Sequence, residues 1–179
     1  MKRFIALCVL AASIAWAAGP VPRPVKGFRI QQVAGNPIDL SQQKGRVVAI
    51  QFLYTTCGHC MATAKMLSKI QDDLGSKGLQ VLGVAFNEEA LANSAAITKF
   101  VSSNGITFPV GFALRQAVMS QLGLPVMSDF VVPQIMVIDR KGAIRAQSKP
   151  MGSAELQNEA YLREYLGNLL KESPRVAVK

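Results

Sequence analysis

The sequence predicts a single α/β domain in which a mixed central β-sheet is flanked by helices. Three observations support this prediction. The 179-residue length fits one compact core, half of the residues are hydrophobic, and apolar runs of strand length alternate with segments of helical periodicity. Alternation of this kind is typical of βαβ units, so part of the sheet should be parallel.

The first half of the domain is organised around one strand buried on both faces. Residues 28–40 contain Gly35-Asn36 between two short apolar runs, which predicts a hairpin or an edge strand. Residues 46–54 are almost continuously apolar, with Gln51 as the single interruption, and this is the pattern of a central strand. Residues 57–73 carry apolar side chains at helical spacing and precede glycines that can stop a helix.

The second half continues the alternation and ends with a C-terminal β-hairpin and a helix. Asp-Arg-Lys-Gly at 139–142 predicts a hairpin turn, and four leucines within 155–171 form one apolar helical stripe. The predicted elements are strand 79–86, helix 91–104, a short strand or loop at 108–110, helix 115–122, strand 134–138, strand 143–146 and helix 155–171.

The N-terminal residues predict export. Lys2-Arg3 precede an apolar run that ends in small residues and contains the pattern Ala-Trp-Ala, so residues 1–17 are predicted to be a signal peptide. The run is shorter than the ~20 residues that span a bilayer, and a membrane anchor formed by an uncleaved signal is the alternative. The expected location is therefore the periplasm. The further boundaries are a proline-rich linker at 18–27, the domain at 28–172 and a flexible tail at 173–179.

The positive charge of the chain does not indicate a nucleic-acid partner. The formal net charge is +9, from 20 Lys and Arg against 11 Asp and Glu, but the basic residues are scattered as singles and pairs. Only 7% of residues are aromatic. Nucleic-acid binding requires clustered basic residues, often with interleaved aromatic side chains, so no nucleic-acid partner is expected.

The chemistry of the chain is concentrated at Cys57-Gly58-His59-Cys60. Two cysteines separated by two residues at a strand-to-helix turn can close a small disulfide, and the N-terminus of a helix stabilises the thiolate of the first cysteine. His59 is the only histidine of the chain, and its imidazole stabilises the same thiolate when protonated. These features favour thiol-disulfide exchange.

Other uses of Cys57 and Cys60 are less well supported by the sequence. An inert bridge enclosing two residues would stabilise the fold little. A zinc site would need further ligands, and no second cysteine pair exists in the domain. Covalent haem requires His directly after the second cysteine, where this chain has Met61. Copper bound by the two thiolates, with Met61 as a further soft ligand, remains an alternative as a copper chaperone or sensor.

Two segments resemble the thioredoxin superfamily. They are Gly-Arg-Val-Val-Ala-Ile-Gln-Phe-Leu-Tyr-Thr-Thr-Cys-Gly-His-Cys at 45–60 and Val-Val-Pro-Gln-Ile-Met-Val-Ile-Asp at 131–139, and the likeness extends over about residues 25–170. The chain is most similar to the exported TlpA-like, redoxin-type thiol-disulfide oxidoreductases. The resemblance implies a thioredoxin-like fold, no cofactor and no metal.

The resemblance also implies roles for individual residues. Cys57 would be the attacking thiol and Cys60 the resolving thiol, and the two would form the redox-active disulfide. Pro133 would be a cis-proline beside the cysteines that aims the backbone of Val132 at an extended substrate segment. Tyr54 would cover the site.

Three features complicate the assignment. Cytosolic thioredoxins carry a buried Asp where this chain has Gln51, and the acid of the TlpA-like branch aligns with Glu88, which would then receive the proton of the second thiol. Gly58 and His59 resemble the active sites of protein disulfide isomerases, in which His favours the reduced form. Gly58 is also expected to contact the substrate. TlpA-like proteins usually reduce disulfides instead, so the direction of electron flow stays open.

The expected partners are exported proteins with thiols or disulfides, and an electron-exchange partner such as a membrane redox protein.

A peroxidase related to peroxiredoxins is the other enzymatic alternative. Peroxiredoxins usually carry Pro-x-x-x-Thr-x-x-Cys, whereas Ile50 and Tyr54 occupy the Pro and Thr positions before Cys57.

Overall fold

The computed structural model describes residues 19–172, so the predicted signal peptide 1–17 and tail 173–179 lie outside the described residues. Within this range eight strands form one mixed sheet. The strands are β1 (Arg23–Pro24), β2 (Arg29–Gln32), β3 (Ile38–Asp39), β4 (Val47–Leu53), β5 (Leu79–Ala85), β6 (Val110–Phe112), β7 (Gln134–Ile138) and β8 (Ala143–Gln147). Their spatial order is β1-β8-β7-β4-β5-β6-β2-β3.

Helices cover both faces of this sheet. They are α1 (Gly58–Leu74), α2 (Glu88–Ala92), α3 (Ser94–Asn104), α4 (Arg115–Leu122) and α5 (Glu159–Lys171). Apolar residues of α1, α3 and α5 pack on one face of the sheet, and those of α4 pack on the other face together with residues near β2. The sheet therefore lies between two apolar layers. Helices cover one layer, and α4 together with the N-terminal segment covers the other.

Strand β4 occupies the centre of the sheet, as its apolar sequence predicted. All seven of its residues are buried. It pairs in parallel with β5 and antiparallel with β7, which makes the sheet mixed. Alternate β4 residues enter the two apolar layers, and this explains why the strand is apolar at nearly every position. The α/β class, the β7–β8 hairpin and the closing helix are confirmed.

Several predicted boundaries differ from the structure. The helix predicted over 91–104 is two helices, because Asn93 is extended and its side chain caps α3 by accepting the N–H of Ala95. The last helix begins at Glu159 rather than Glu155, with the Asn158 side chain as its cap. The short strand predicted at 108–110 is β6, shifted towards the C-terminus.

The segment 18–27, predicted as a linker, contributes a strand to the sheet. Arg23 and Pro24 form β1, which pairs with Ile144 and Ala143 of β8. The Arg23 guanidinium also donates to the carbonyl of Gln121 and to the side chain of Gln147. Across residues 19–172, no helix combines the length and the apolarity needed to cross a membrane.

Candidate active site

Cys57 lies where the central strand turns into helix α1. Its backbone N–H donates to the Tyr54 carbonyl at 3.1 Å, which closes a tight turn after β4. Cys57 is the N-cap of α1, and its sulfur accepts the backbone N–H of Cys60 at 3.2 Å. The thiol therefore lies at the positive end of the helix dipole, where negative charge on sulfur is stabilised.

Cys60 is in the first turn of α1 and is fully buried. Burial raises the pKa of the Cys60 thiol above its ordinary value, and the hydrogen bond with Cys57 raises it further, although a backbone contact with Tyr54 acts in the opposite direction. Both cysteines are free thiols, so the structure is that of the dithiol form. The Cys57–Cys60 disulfide stays a prediction.

The loop before β7 brings a second part of the site against Cys57. The Val132–Pro133 peptide bond is cis. The Cys57 thiol donates to the Val132 carbonyl at 3.9 Å, a long contact for sulfur. Pro133 is buried and Val132 is half-buried. The structure thus places Cys57 next to Val132, which directly precedes the cis-proline that the resemblance singled out.

Gln51 lies beneath the dithiol on β4. Its side chain is fully buried, and its Nε2 donates to the Cys60 carbonyl at 2.9 Å. Its Oε1 has no hydrogen-bond partner among residues 19–172. A carboxamide does not titrate, so Gln51 secures the first turn of α1 to the sheet but cannot accept the Cys60 proton.

The residues between the cysteines are open to solvent. Gly58 and His59 are both exposed, and a Cβ added at Gly58 would meet no atom within 4 Å. His59 makes no side-chain hydrogen bond within the described chain. The approach to the dithiol over the N-terminus of α1 is therefore unobstructed.

Glu88 is not brought into hydrogen-bond contact with either cysteine. It is the first residue of α2 and is exposed. The neighbouring Glu89 lines a groove beside the site together with Thr55, Thr56 and Met61. The structure therefore places an acid beside the loop that precedes Cys57, but that acid is Glu89.

Tyr54 is held by side chains that pack under the cis-proline loop. Its ring makes an edge contact with Phe86, with 4.8 Å between centroids, and Phe86 stacks with Phe130 at 5.9 Å. The Arg115 guanidinium donates to the Tyr54 hydroxyl at 3.2 Å and lies over the Phe130 ring. Phe130 precedes Val132 by two residues, so this cluster supports the loop on the side of α4.

Two polar side chains of the site were missed in the sequence. Asn87 accepts the Thr55 N–H at 3.3 Å and donates to the Thr55 hydroxyl at 3.1 Å, which ties the loop after β5 to the loop after β4. The carboxyl ends of parallel neighbouring strands meet at one edge of a sheet, and this rule could have identified Asn87. The other side chain is Gln134, which follows Pro133; no local signal in the sequence marks it.

The described residues contain no preformed metal centre. Among residues 19–172, no group of three or more His, Cys, Asp or Glu side chains is arranged to hold a metal ion. The copper alternative therefore depends on the two thiols and Met61 rather than on a wider ligand set.

Comparison with known proteins identifies the family. The family model described as Redoxin matches residues 21–163 of the chain. The chain belongs to the redoxin family. Among curated redoxin-related proteins, it is 23% identical over 144 residues to the thiol-disulfide oxidoreductase ResA of Bacillus anthracis, covering 80% of this chain and 78% of that protein. The family and this relative identify an oxidoreductase of the redoxin type.

Solved structures confirm the thioredoxin-like fold of this redoxin. The crystal structure of a thiol:disulfide interchange protein from Chlorobium tepidum superposes with a TM-score of 0.69 at 22% identity, covering 86% of this chain and 99% of that chain. A shorter similarity connects the chain with glutathione peroxidase 1 of Bos taurus, 31% identical over 83 residues, which is 46% of this chain and 40% of that enzyme.

Proposed function

We propose that this redoxin is an exported, periplasmic thiol-disulfide oxidoreductase that exchanges disulfides with protein substrates through Cys57 and Cys60. One observation carries the proposal. The Cys57 sulfur lies between the Cys60 N–H at the start of α1 and the Val132 carbonyl before a cis-proline. A thiol placed there has both a stabilised thiolate and a backbone segment on which a substrate can align.

The exchange proceeds in two successive steps. The Cys57 thiolate attacks one sulfur of a substrate disulfide, the substrate S–S bond breaks, and a mixed disulfide forms while the leaving thiolate takes a proton. The Cys60 thiolate then attacks the Cys57 sulfur, the Cys57–Cys60 disulfide forms, and the second substrate thiol is released. The substrate gains two electrons and two protons, and the reverse sequence oxidises it.

The second step requires a proton acceptor, because the pKa of the Cys60 thiol is raised and Gln51 cannot titrate. We assign this role to a carboxylate at the start of α2, namely Glu88, with the adjacent Glu89, which lines the groove beside the site, as the other candidate. The residue before Glu88, Asn87, is bonded to Thr55 in the loop that leads to Cys57, and this connection keeps the start of α2 close to the site. A carboxylate reached directly or through a water molecule suits such a proton transfer.

The proposed partners are exported proteins that contain thiols or disulfides, and a second protein, such as a membrane redox protein, that exchanges electrons with the Cys57–Cys60 pair. Val132 would align the substrate, while Tyr54 and the open surface at Gly58 would adjoin it.

The reduction potential decides the direction of electron flow. A value of about −120 to −180 mV indicates a disulfide donor or isomerase, and a value near or below about −270 mV indicates a reductase.

Trapping tests the proposed function. In the presence of an unfolded disulfide-containing protein, the Cys60→Ser variant should accumulate a mixed disulfide at Cys57, because the resolving thiol is absent. The Cys57→Ser variant should form none, and the wild type should turn over. Mass spectrometry of non-reduced adducts is the measurement. No adduct with Cys60→Ser, or an equal yield with Cys57→Ser, would contradict the proposal.

A peroxidase is the second candidate, favoured by the local similarity to glutathione peroxidase 1. The residues before Cys57 depart from the peroxiredoxin pattern at Ile50 and Tyr54. Consumption of hydrogen peroxide by the reduced protein distinguishes the two activities, and a rate no faster than that of a free thiol excludes the peroxidase.

Copper binding, as a copper chaperone or sensor, is the non-enzymatic alternative. Titration of the reduced protein with Cu(I) against a competing chelator tests it. Sub-stoichiometric or readily competed binding counts against a copper chaperone, whereas tight stoichiometric binding that is lost in Cys57→Ser supports one.

A further inference from the structure

Gln134 makes a set of hydrogen bonds that joins two loops at the active site. It is the first residue of β7, directly after cis-Pro133, and its side chain is fully buried. Its Nε2 donates to the carbonyls of Val131 at 2.7 Å, Lys149 at 3.1 Å and Pro150 at 3.1 Å. One carboxamide therefore connects the cis-proline loop with the loop that follows β8.

The same two loops are joined through the backbone of Val131. Its N–H donates to the Pro150 carbonyl at 2.9 Å, while its own carbonyl accepts from Gln134. Both backbone polar groups of Val131 are thus used inside the protein, although its side chain is partly exposed. A substrate strand cannot accept a hydrogen bond from the Val131 N–H unless the contact with Pro150 breaks, and the bond from Gln134 leaves the Val131 carbonyl only one free lone pair.

Val132 differs from its neighbour. Its carbonyl faces the Cys57 sulfur, and within residues 19–172 its N–H has no hydrogen-bond acceptor. The next residue, Pro133, has no N–H to offer. Val132 thus lies between Val131, whose backbone groups are hydrogen-bonded within the protein, and a proline. Its own N–H, beside the Cys57 thiol, is available to a substrate.

We propose that Gln134 is a positioning residue that restricts substrate pairing to Val132, so that an extended protein segment docks in a single register with its cysteine at Cys57. The inference rests on the proposed function and deepens it. The substrates selected in this way are unfolded or extended segments with a free backbone, since small disulfides have no strand to pair.

Gln121 offers a matched control for the substitution. It is also a buried glutamine, 2% exposed against 0% for Gln134. Gln121 lies on α4, and among residues 19–172 the one hydrogen bond that its Nε2 donates is to the Met136 sulfur, at 3.8 Å. Replacing either residue by Leu removes a buried carboxamide, but only the change at Gln134 releases the three loop carbonyls.

The test compares two substrates that share one leaving group. One is the small aromatic disulfide dithiobis(nitrobenzoate), and the other is an unstructured peptide whose single cysteine carries the same thionitrobenzoate group. The quantity measured is the ratio of the second-order rate constants, peptide over small disulfide. We expect Gln134→Leu to lower this ratio by about tenfold and Gln121→Leu to leave it within about twofold of wild type.

The outcomes separate this inference from the proposed function. An unchanged ratio in Gln134→Leu, or an equal fall in Gln121→Leu, overturns the positioning role while leaving thiol-disulfide exchange intact. A wild-type protein that reacts with neither substrate overturns the proposed function, and the inference with it.

Amide hydrogen exchange tests the same inference without any change at Gln134. In the reduced wild-type protein, the Val131 N–H should be protected and the Val132 N–H should exchange fast. In a Cys60→Ser mixed disulfide with the peptide, Val132 should become protected while Val131 stays as it was. Protection of Val132 in the free protein, or a change at Val131 on peptide binding, overturns the proposed register.

Discussion

At the scale of single residues, the two cysteines have opposite environments although they are three positions apart. Cys57 caps α1 and is partly exposed, whereas Cys60 is fully buried above Gln51. Helix-terminal amides favour a thiolate at the first position, and burial favours a neutral thiol at the second. This asymmetry supports the proposed attack by Cys57, and under that proposal the deprotonation of Cys60 is the step that needs assistance.

Replacing the proposed base should slow the resolving step. In Glu88→Gln, we expect the mixed disulfide at Cys57 to decay about a hundredfold more slowly at neutral pH, because a general base contributes on the order of 10² or more. Stopped-flow release of the second substrate thiol is the measurement. Glu89→Gln is the matched control and should decay as wild type does, so slowing by Glu89→Gln alone would transfer the role to that residue.

Removing the imidazole between the cysteines should make the disulfide less oxidising. In His59→Gln, the Cys57 thiolate loses a neighbouring group that stabilises it when protonated, so the reduction potential should become more negative, by about 30 mV or less. Equilibration with glutathione followed by thiol trapping gives the value. An unchanged or higher potential would show that His59 does not favour the reduced form of the pair.

At the scale of elements, the site is built where parallel neighbours end. β4 and β5 run in parallel, and the loops that follow them meet at one edge of the sheet. Asn87, after β5, reaches Thr55, after β4, through two hydrogen bonds. β7 enters from the opposite side of β4 and brings the cis-proline loop to the same edge. Three elements thus hold Cys57 in place.

The Asn87–Thr55 connection should matter for activity as well as stability. In Asn87→Ala, two hydrogen bonds are lost, so the free energy of unfolding should fall by about 2 kcal/mol and the exchange rate should fall as the loop before Cys57 loosens. Asn93→Ala is the control. It removes the cap of α3 and should cost about 1 kcal/mol with no change in rate. Equal rates in both variants would show that the connection is only structural.

The elements that sequence predicts best are those whose signal is local. β4 is apolar at nearly every position, and α1 has apolar side chains at helical spacing followed by glycine, so the residue pattern alone places both. The break at Asn93 could not be placed, because the helical pattern continues across it and the interruption depends on one capping side chain. The residue types at 57–60 likewise identify the dithiol without tertiary information.

The polar network around the dithiol could not be predicted in the same way. The Lys149 and Pro150 carbonyls that Gln134 bonds lie 15 and 16 positions along the chain, and they meet it only through the β7–β8 hairpin. The part of 18–27 that forms β1 was missed for a similar reason, because a two-residue strand has no periodicity. Both features depend on tertiary contacts between distant segments.

At the scale of the whole molecule, the protonation state of the Cys60 thiol is linked to the stability of the fold. The pKa of the Cys60 thiol is raised on folding. The folded protein therefore keeps this proton at a pH where the unfolded chain releases it, which is above about pH 8.5 for an ordinary thiol. The stabilisation is fully present below that pH and is lost as the pH rises towards the folded-state pKa.

This linkage predicts a pH-dependent stability of the reduced protein. Its free energy of unfolding should fall above about pH 8.5 with a Cys60 contribution of up to about 1.4 kcal/mol per pH unit. Urea titrations at a series of pH values measure the slope. Cys60→Ala and the oxidised wild type lack the thiol and should both have a shallower slope. A slope in Cys60→Ala equal to that of the reduced wild type would refute the linkage.

The two outermost strands of the sheet are both short, and under the proposed function they would be exposed to unfolded protein substrates. β1 ends in Pro24, and β3 consists of Ile38 and Asp39, so each edge is only two residues long and carries a proline or a charge. Long open edges recruit other chains by backbone pairing and so promote aggregation. Because both edges are short, an unfolded substrate of the proposed kind would have little opportunity to add as a further strand, and the protein would meet such substrates without co-aggregating with them.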